Sequence, residues 1–482
     1  MRRYWKWALL FAYAATMVSL LGVIVSAAVR ETNVTEPDEG NSIVEVPGIF
    51  TKANVGEVLA LVNSYRREAC QKGYPNPYDP EVRLTMDDYS EVKWSGDLEW
   101  IAQTRAAEGT VLQDHTRPNG KSCFDISYHD TYSASETLAW NYGSLIGGIK
   151  QWYEEKEDWI NQNANAVTGH YTAMISPSLK YIGIGCFTSD SGGWSCIAGA
   201  YSGSADLDET QNAVSGRWNQ KMEVLTSSIT APAISGSNSV VSEKTVKLSF
   251  ERFVVYPGIW GGSIKTPIFD ARPVTWTVSD PAVASVSADG AVTGLKPGKV
   301  TISAQQENET ATFVMTVVAP AKGTILSTID AAYKVTKQAK ELQYQKYKGK
   351  TAKATVPAAV TIGGVNYQVI SIGASAFKGS AISSVTIGKN VQTIGNSAFQ
   401  NCVKLKAVTV PAAVTKIGKK AFYGCKKLKK VTIKSRKLKA GKIGNKVFSK
   451  AGIKTVKVPK GKKAAYQTLL PRAGLSKTAK VK

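Results

Sequence analysis

Gly169-His-Tyr-Thr-Ala-Met-Ile-Ser-Pro-Ser-Leu-Lys-Tyr-Ile-Gly-Ile-Gly-Cys186 runs from a histidine into a strand, and the fold of the first 200 residues turns on it. Tyr181-Ile-Gly-Ile-Gly-Cys-Phe187 reads as a strand, and Trp194 to Tyr201 as a second one beyond the turn-rich residues Thr188 to Gly193. Further back the apolar period becomes helical. Val55, Val58, Leu59 and Val62 recur on one face, and Leu98, Ile101, Ala102 and Arg105 keep register over Asp97–Ala107. Ile149, Trp152, Lys156 and Trp159 share a face over Ser144–Trp159. Helices mixed with strands predict an α/β sandwich.

The chain holds three histidines, so each can be weighed alone. His129 lies in a loop-like polar stretch with no supporting pattern. His115 lies in Asp114-His-Thr-Arg-Pro-Asn-Gly120 and His170 in the opening stretch. The ordered motifs HTRPNGKSCF, ETLAW, QWYEE and GHYTAMISPSLKYIGIGC resemble the CAP superfamily of cysteine-rich secretory, antigen 5 and pathogenesis-related proteins in its bacterial form, over about residues 54 to 203. The resemblance implies an α-β-α sandwich whose cleft gathers two His and two Glu, here His115, Glu136, Glu155 and His170. Ser135 and Thr137 replace the family's Gly and Asn around Glu136, which bears on how that carboxylate is held. Imidazole and carboxylate suit a divalent ion such as Zn²⁺, and an incomplete shell leaves a position for water. The same four residues also read as a hydrogen-bonded polar cluster. No G-x-S-x-G, H-E-x-x-H or G-x-x-x-x-G-K motif occurs, and no catalytic residue is assigned.

From about Ser228 the chain changes to short alternating strands. Val274-Thr-Trp-Thr-Val278, Ala284-Ser-Val286, the Asp289-Gly290 turn, Val292, Gly294-Leu295 and Val300-Thr-Ile302 resemble the group 2 bacterial immunoglobulin-like domain, a β-sandwich found as spacer or adhesive module at cell surfaces. Beyond it a repeat takes over. Ile372-Gly373, Ile394-Gly395, Ile417-Gly418 and Ile443-Gly444 are each followed by a Phe (377, 399, 422, 448) and a β-like triplet, Val385-Thr-Ile387, Val408-Thr-Val410, Val431-Thr-Ile433 and Val456-Lys-Val458. A unit that short cannot bury its own apolar face, so neighbours must stack into a solenoid. The pattern resembles the BspA-type leucine-rich repeat of secreted bacterial proteins.

The expected organisation is multidomain: 1–28 a signal peptide or N-terminal anchor, 29–53 an acidic tether, 54–203 the CAP-like sandwich, 204–227 a linker, 228–319 the immunoglobulin-like sandwich and 320–482 a Lys-rich leucine-rich-repeat solenoid. A length of 482 residues with 43% hydrophobic and 20% charged residues suits several globular domains. Arg2, Arg3 and Lys6 precede an uncharged run, residues 7–29, that reads either as a leader cleaved after Ala27 or Ala28 or as a retained membrane anchor. Both place the rest outside the cell. The chain ends in Lys480-Val-Lys482 with no sorting motif and apolar tail, so covalent wall attachment by that route is not expected.

The net charge of +23 is unevenly spread. Residues 321–482 carry 35 Lys and Arg against two acids, Asp330 and Glu341, whereas the remainder is mildly acidic. Such a field attracts a polyanion or simply solubilises the repeat. With two Arg in that segment, Arg436 and Arg472, fork-like recognition of single phosphates is a weaker expectation. Six cysteines suit an oxidising compartment. Cys186 and Cys196 flank a turn and are expected to bridge one hairpin, while Cys402 and Cys425, one repeat apart, read as buried thiols. The functional expectation is a secreted or surface-attached bacterial interaction protein with the CAP-like domain as ligand- or metal-binding head for a surface or host partner. The alternative is a metal-dependent extracellular hydrolase using the His and Glu set. Lipid or sterol carriage rests on family analogy alone.

Overall fold

The computed structural model describes residues 28–32, 35–211 and 213–482. The expected leader or anchor lies outside the described residues apart from its last positions, Ala28 and Val29. Among the described residues no helix is long and apolar enough to cross a membrane. The described residues form two compact units, the first running to Ala233 and including Glu251–Pro273, the second Ile234–Phe250 with Val274–Lys482.

The first unit is built on a seven-stranded sheet of β1 (Ala28–Arg30), β2 (Asn41–Phe50), β3 (Lys93–Trp94), β6 (Ser135–Asn141), β7 (Tyr181–Ser189), β8 (Ser195–Ser202) and β9 (Gly216–Leu225). Its order is β1-β9-β2-β7-β8-β6, with β3 paired to β7. A separate small hairpin joins β4 (Ser127–Tyr128) and β5 (Thr131–Tyr132). The helices are α1 (Val55–Lys72), α2 (Gly96–Gly109), α3 (Leu145–Glu154), α4 (Lys156–Ile160) and α5 (Gly169–Ile175). Asn54 caps α1 by accepting from the Glu57 N–H, and Gly73 ends it in the left-handed region at φ 64°.

Alternation along β7 decides the layering. Ile182, Ile184 and Cys186 join one core with Val58 and Val62 of α1, Ile149 and Trp152 of α3 and Met174 of α5. Gly183 and Gly185 point the other way, where an added Cβ would lie 2.0 Å from the Glu99 nitrogen and 2.3 Å from the Gln103 nitrogen. The absent side chains let α2 lie directly on the strand. All of α2 but Trp100 is buried in consequence, including Glu99, Arg105 and Glu108, which must therefore be paired inside the protein.

Three boundary expectations are corrected. The segment 29–53 is no tether: it supplies β1 and β2, and β2 pairs with β9 from Asn41↔Leu225 to Phe50↔Gly216. Val44, Val46, Gly48 and Phe50 turn inward at every second position, and the acidic residues fill the turn between the strands. Arg30 is buried and donates to Thr104 Oγ1 at 3.0 Å, Gln220 Oε1 at 2.6 Å and the Trp100 carbonyl at 3.0 Å. Burial lowers its pKa to about 10. The expected linker 204–227 likewise contains β9. Finally, the expected immunoglobulin-like span is divided. After β10 (Ala233–Gly236) and β11 (Ser239–Val241), the long β12 (Thr245–Pro257) pairs its end with β13 (Ser263–Ile268) from Arg252↔Ile268 to Pro257↔Ser263. This ribbon belongs to the first unit: Val254 enters its core, Phe269 N–H donates to the Glu45 carbonyl and Tyr256 OH to that of Pro118.

The expected Cys186–Cys196 bridge is also corrected. Cys186 pairs with Ile197, and Cys196 with Phe187. That offset of one residue sends the two side chains to opposite faces of the sheet, so Cys186 packs with α1 and α3 while Cys196 packs with Ala106 and Ala107 of α2. Both are free thiols, as are the other described cysteines.

In the second unit, β14 (Thr275–Val278), β15 (Ala284–Val286), β16 (Ala291–Gly294), β17 (Gly298–Gln306) and β18 (Glu309–Val318) complete two sheets, β10-β12-β16-β15 and β11-β18-β17-β14. Leu248, Ala284 and Val292 share a core with Ile302, Ala304, Met315 and Val317. The Asp289-Gly290 turn joins β15 to β16, with Gly290 at φ 80°. The repeat region begins with antiparallel strands, Ala331–Lys337 against Glu341–Tyr347, and continues as parallel coils. Lys353–Val356, Ser384–Ile387, Ala407–Val410, Lys430–Ile433, Thr455–Lys457 and Lys480–Val481 line one sheet. Ile372, Ile394 and Ile417 align in a second. A Cβ on Gly418 or Gly444 would meet the backbone of the preceding coil at 2.5 or 2.4 Å. The rings of Phe377, Phe399, Phe422 and Phe448 stack at 4.9, 5.1 and 5.8 Å. The Cys402 and Cys425 thiols, buried beside them, donate to the Phe377 and Phe399 carbonyls.

Candidate functional site

The four candidate residues come together as two carboxylate–imidazole pairs. Glu136 projects from β6, the edge strand next to β8, and its Oε2 lies 2.6 Å from His115 Nδ1. Glu155 stands at the junction of α3 and α4, where the helix predicted as continuous from Ser144 to Trp159 breaks. Its Oε1 lies 2.5 Å from His170 Nδ1, and its Oε2 accepts the backbone N–H groups of His170 and Tyr171 at 3.0 and 3.1 Å. The imidazole rings are 5.6 Å apart between centroids and inclined by 28°. His115 is half-exposed at 53%, whereas the Glu136 side chain is 5% exposed. His129, by contrast, pairs with Asp97 at 3.1 Å.

A carboxylate bonded to Nδ1 fixes the ring and makes Nδ1 the proton-bearing nitrogen, leaving the Nε2 lone pair free. Holding Glu136 buried requires a cation. Arg105 supplies it from α2, donating through Nε to Glu136 Oε1 at 2.5 Å and through Nη2 to Oε2 at 3.3 Å. The same guanidinium reaches Glu108 at 2.6 Å and the carbonyls of Asp114 and His115, so it also anchors the loop carrying the first imidazole. Glu108 is shared with Arg117, whose Nη2 donates at 2.8 Å. Burial alone would push the Glu108 carboxyl up, but Arg117 and Arg105 together hold it below the usual carboxylate range. For Arg105, burial opposes the charge, and Glu136 and Glu108 more than reverse that effect.

Past His115 the chain turns sharply. Gly120 adopts φ 82°, its N–H donates to the Arg117 carbonyl, and a Thr116↔Ser122 bridge closes the loop. The turn returns Cys123 to the site. His115, Cys123 and Glu136 each offer a ligand atom within 4.8 Å of the others. Burial, then the Glu136 charge, pushes the Cys123 thiol up to about 12. Sequence reading singled out neither Arg105, Glu108, Arg117 nor Cys123 as a site residue. The one visible signal was that Cys123 lies within the same motif as His115.

With this geometry in view, comparison with known proteins gives the class of each segment. Residues 59–198 match the family described as the cysteine-rich secretory protein family, CAP. Residues 265–317 match the bacterial Ig-like domain, group 2, and residues 361–469 the BspA type leucine rich repeat region in six copies. The chain therefore carries a CAP domain, a bacterial immunoglobulin-like domain and BspA-type leucine-rich repeats. Venom allergen 5 of the hornet Vespa magnifica is 26% identical over 33% of this chain and 70% of its own length. Venom allergen 5 of Vespa velutina is 26% identical over 33% of this chain and 78% of its own. Among solved structures, a leucine-rich repeat protein from Bacteroides capillosus is 26% identical over 28% of this chain and 98% of its own, with a TM-score of 0.26. Schistosoma mansoni venom allergen-like protein 4 is 17% identical over 33% and 96%, with a TM-score of 0.22.

Proposed function

We propose that this is a secreted or cell-surface bacterial interaction protein whose CAP domain is a metal- and ligand-binding head. In this reading the immunoglobulin-like domain is a spacer, and the basic repeats contact a polyanion. The observation that carries the head's role is the pair of imidazoles, each fixed at Nδ1 by its own glutamate. His115 and His170 would hold a divalent ion such as Zn²⁺ through Nε2, while Glu136 and Glu155 orient them, and the remaining positions stay open to water or a ligand. Bound there, the ion would supply Lewis acidity. Both carboxylates are already committed, Glu136 to Arg105 and His115, Glu155 to three donors, which favours holding over proton transfer and so binding over hydrolysis. The test is elemental analysis and calorimetry on the full chain beside His115→Ala and His170→Ala. Stoichiometric Zn²⁺ in the parent, its loss in His115→Ala and weakened binding in His170→Ala are expected. Equal affinity in all three proteins would refute the reading.

A specific observation supports the polyanion contact. Lys429 N–H donates to the Lys406 carbonyl, Lys454 to Lys429 and Lys480 to Lys454, each at 2.9 Å. Bonded neighbours of this kind recur at ~4.8 Å, so exposed lysines form a column along four successive coils. A linear polyanion would run along it. Retention on a sulfated-polysaccharide column should fall steeply with salt and fall further in Lys429→Glu/Lys454→Glu. Retention indifferent to salt would refute the contact.

A further inference from the structure

We infer that Cys123 is a metal ligand, and that His115, Cys123 and Glu136 form a site for a thiophilic divalent cation. This goes beyond the two-imidazole reading: it shares His115, gives Glu136 a direct ligand role where that reading has it only orient His115, and needs neither His170 nor Glu155. Three kinds of donor, nitrogen, sulfur and oxygen, converge within 4.8 Å, a spacing that one ion at ordinary ligand distances spans. The convergence is built by the loop: the turn at Gly120 and the Thr116↔Ser122 bridge bring residue 123 back beside residue 115. Arg117 pins that loop through its ion pair with buried Glu108.

Charge gives the thiol a purpose. Arg105 and Arg117 balance Glu108 and Glu136, so the buried network is neutral before a cation arrives. A dication held by neutral imidazoles alone would leave two positive charges at its edge. Loss of the Cys123 proton to solvent, with the sulfur lone pair passing to the metal, reduces that to one. Sulfur also selects the ion: Zn²⁺ or Cd²⁺ in preference to Mg²⁺ or Ca²⁺. The fourth position of a tetrahedral ion remains for water or a ligand.

The test uses the full chain with its thiols reduced. X-ray absorption at the zinc edge of the Zn²⁺-loaded parent should show one sulfur at ~2.3 Å. Co²⁺ loading should give a thiolate charge-transfer band that persists in His170→Ala and vanishes in Cys123→Ser, with affinity falling about tenfold or more in the latter. The parent spectrum needs no variant, so a misfolded Cys123→Ser would not spoil the test. Bound metal with only nitrogen and oxygen neighbours, dependent on His170, would overturn this inference and leave the two-imidazole site standing. A sulfur signal unchanged in a folded Cys123→Ser would assign it to another thiol and also overturn the inference. Failure of the parent to bind either metal would overturn both readings.

Discussion

Replacing Glu108 by glutamine should destabilise the first unit by about 3–5 kcal/mol, the range for removing one partner of a buried ion pair. Glu108 is 1% exposed and receives Arg105 Nη1 at 2.6 Å and Arg117 Nη2 at 2.8 Å. The amide keeps one acceptor oxygen and turns an NH₂ group toward two guanidinium ions, leaving Arg105 with Glu136 and Arg117 with the more distant charge of Glu223. For a unit of this size each kcal/mol moves the melting temperature by about 2–4 °C, so the transition should fall by roughly 6–20 °C. Tryptophan fluorescence on the full chain reads this unit selectively, because Trp276 alone among the described tryptophans lies in the second. A fall of less than about 2 °C would show the network to be worth no more than a surface pair, and the argument that it holds the His115 loop would fail.

The same carboxylate sets an acid limit. Its folded pKa is depressed, so its contribution is full above the ordinary carboxylate value near ~4.3 and disappears as pH falls through the folded value. Parent stability should drop below about pH 4 along a steeper slope than Glu108→Gln shows, and parallel pH profiles would contradict this. Gly185→Ala would drive a Cβ to 2.3 Å from the Gln103 nitrogen, backbone that cannot rotate away. A loss of about 1–3 kcal/mol or more in urea titrations is expected, and an unchanged midpoint would mean that α2 does not lie on β7. Phe399→Ala removes the middle of the ring stack and should destabilise the second unit by about 3–5 kcal/mol, with faster amide exchange in the coils on either side. Denatured without reductant, the full chain should label at all six cysteines. A peptide linking Cys186 to Cys196 would refute the strand register.

What the sequence made legible depended on whether a signal was repeated or bundled. Ile-Gly and Phe recur in each coil because each must clear and stack on the one before, so the repeats were plain. His115, Glu136, Glu155 and His170 stood in separate motifs, and the structure brings them together in two pairs. Arg105 looked like one more member of a helix face. Its partners lie 3 and 31 residues away, Glu108 on the same helix and Glu136 on a strand, and no local spacing reveals such a pair. The strands β1, β2 and β9 escaped because acidic turn residues and the Pro47-Gly48 step masked an alternation that becomes clear once β9 lies beside β2. The ribbon at Glu251–Pro273 escaped because its alternation is that of the sandwich strands on either side.

That ribbon changes what counts as a module in this chain. The polypeptide passes from one unit to the other three times, after Ala233, Phe250 and Pro273. No single cut separates the two units and leaves both whole. A fragment stopped near residue 205 would forfeit β9 and the ribbon, stripping Met222, Val224 and Val254 from the core and baring Val44 and Val46 to water. A gene rearrangement moving the CAP segment alone would inherit the same wound, so the two units are expected to travel between genomes as a single heritable piece.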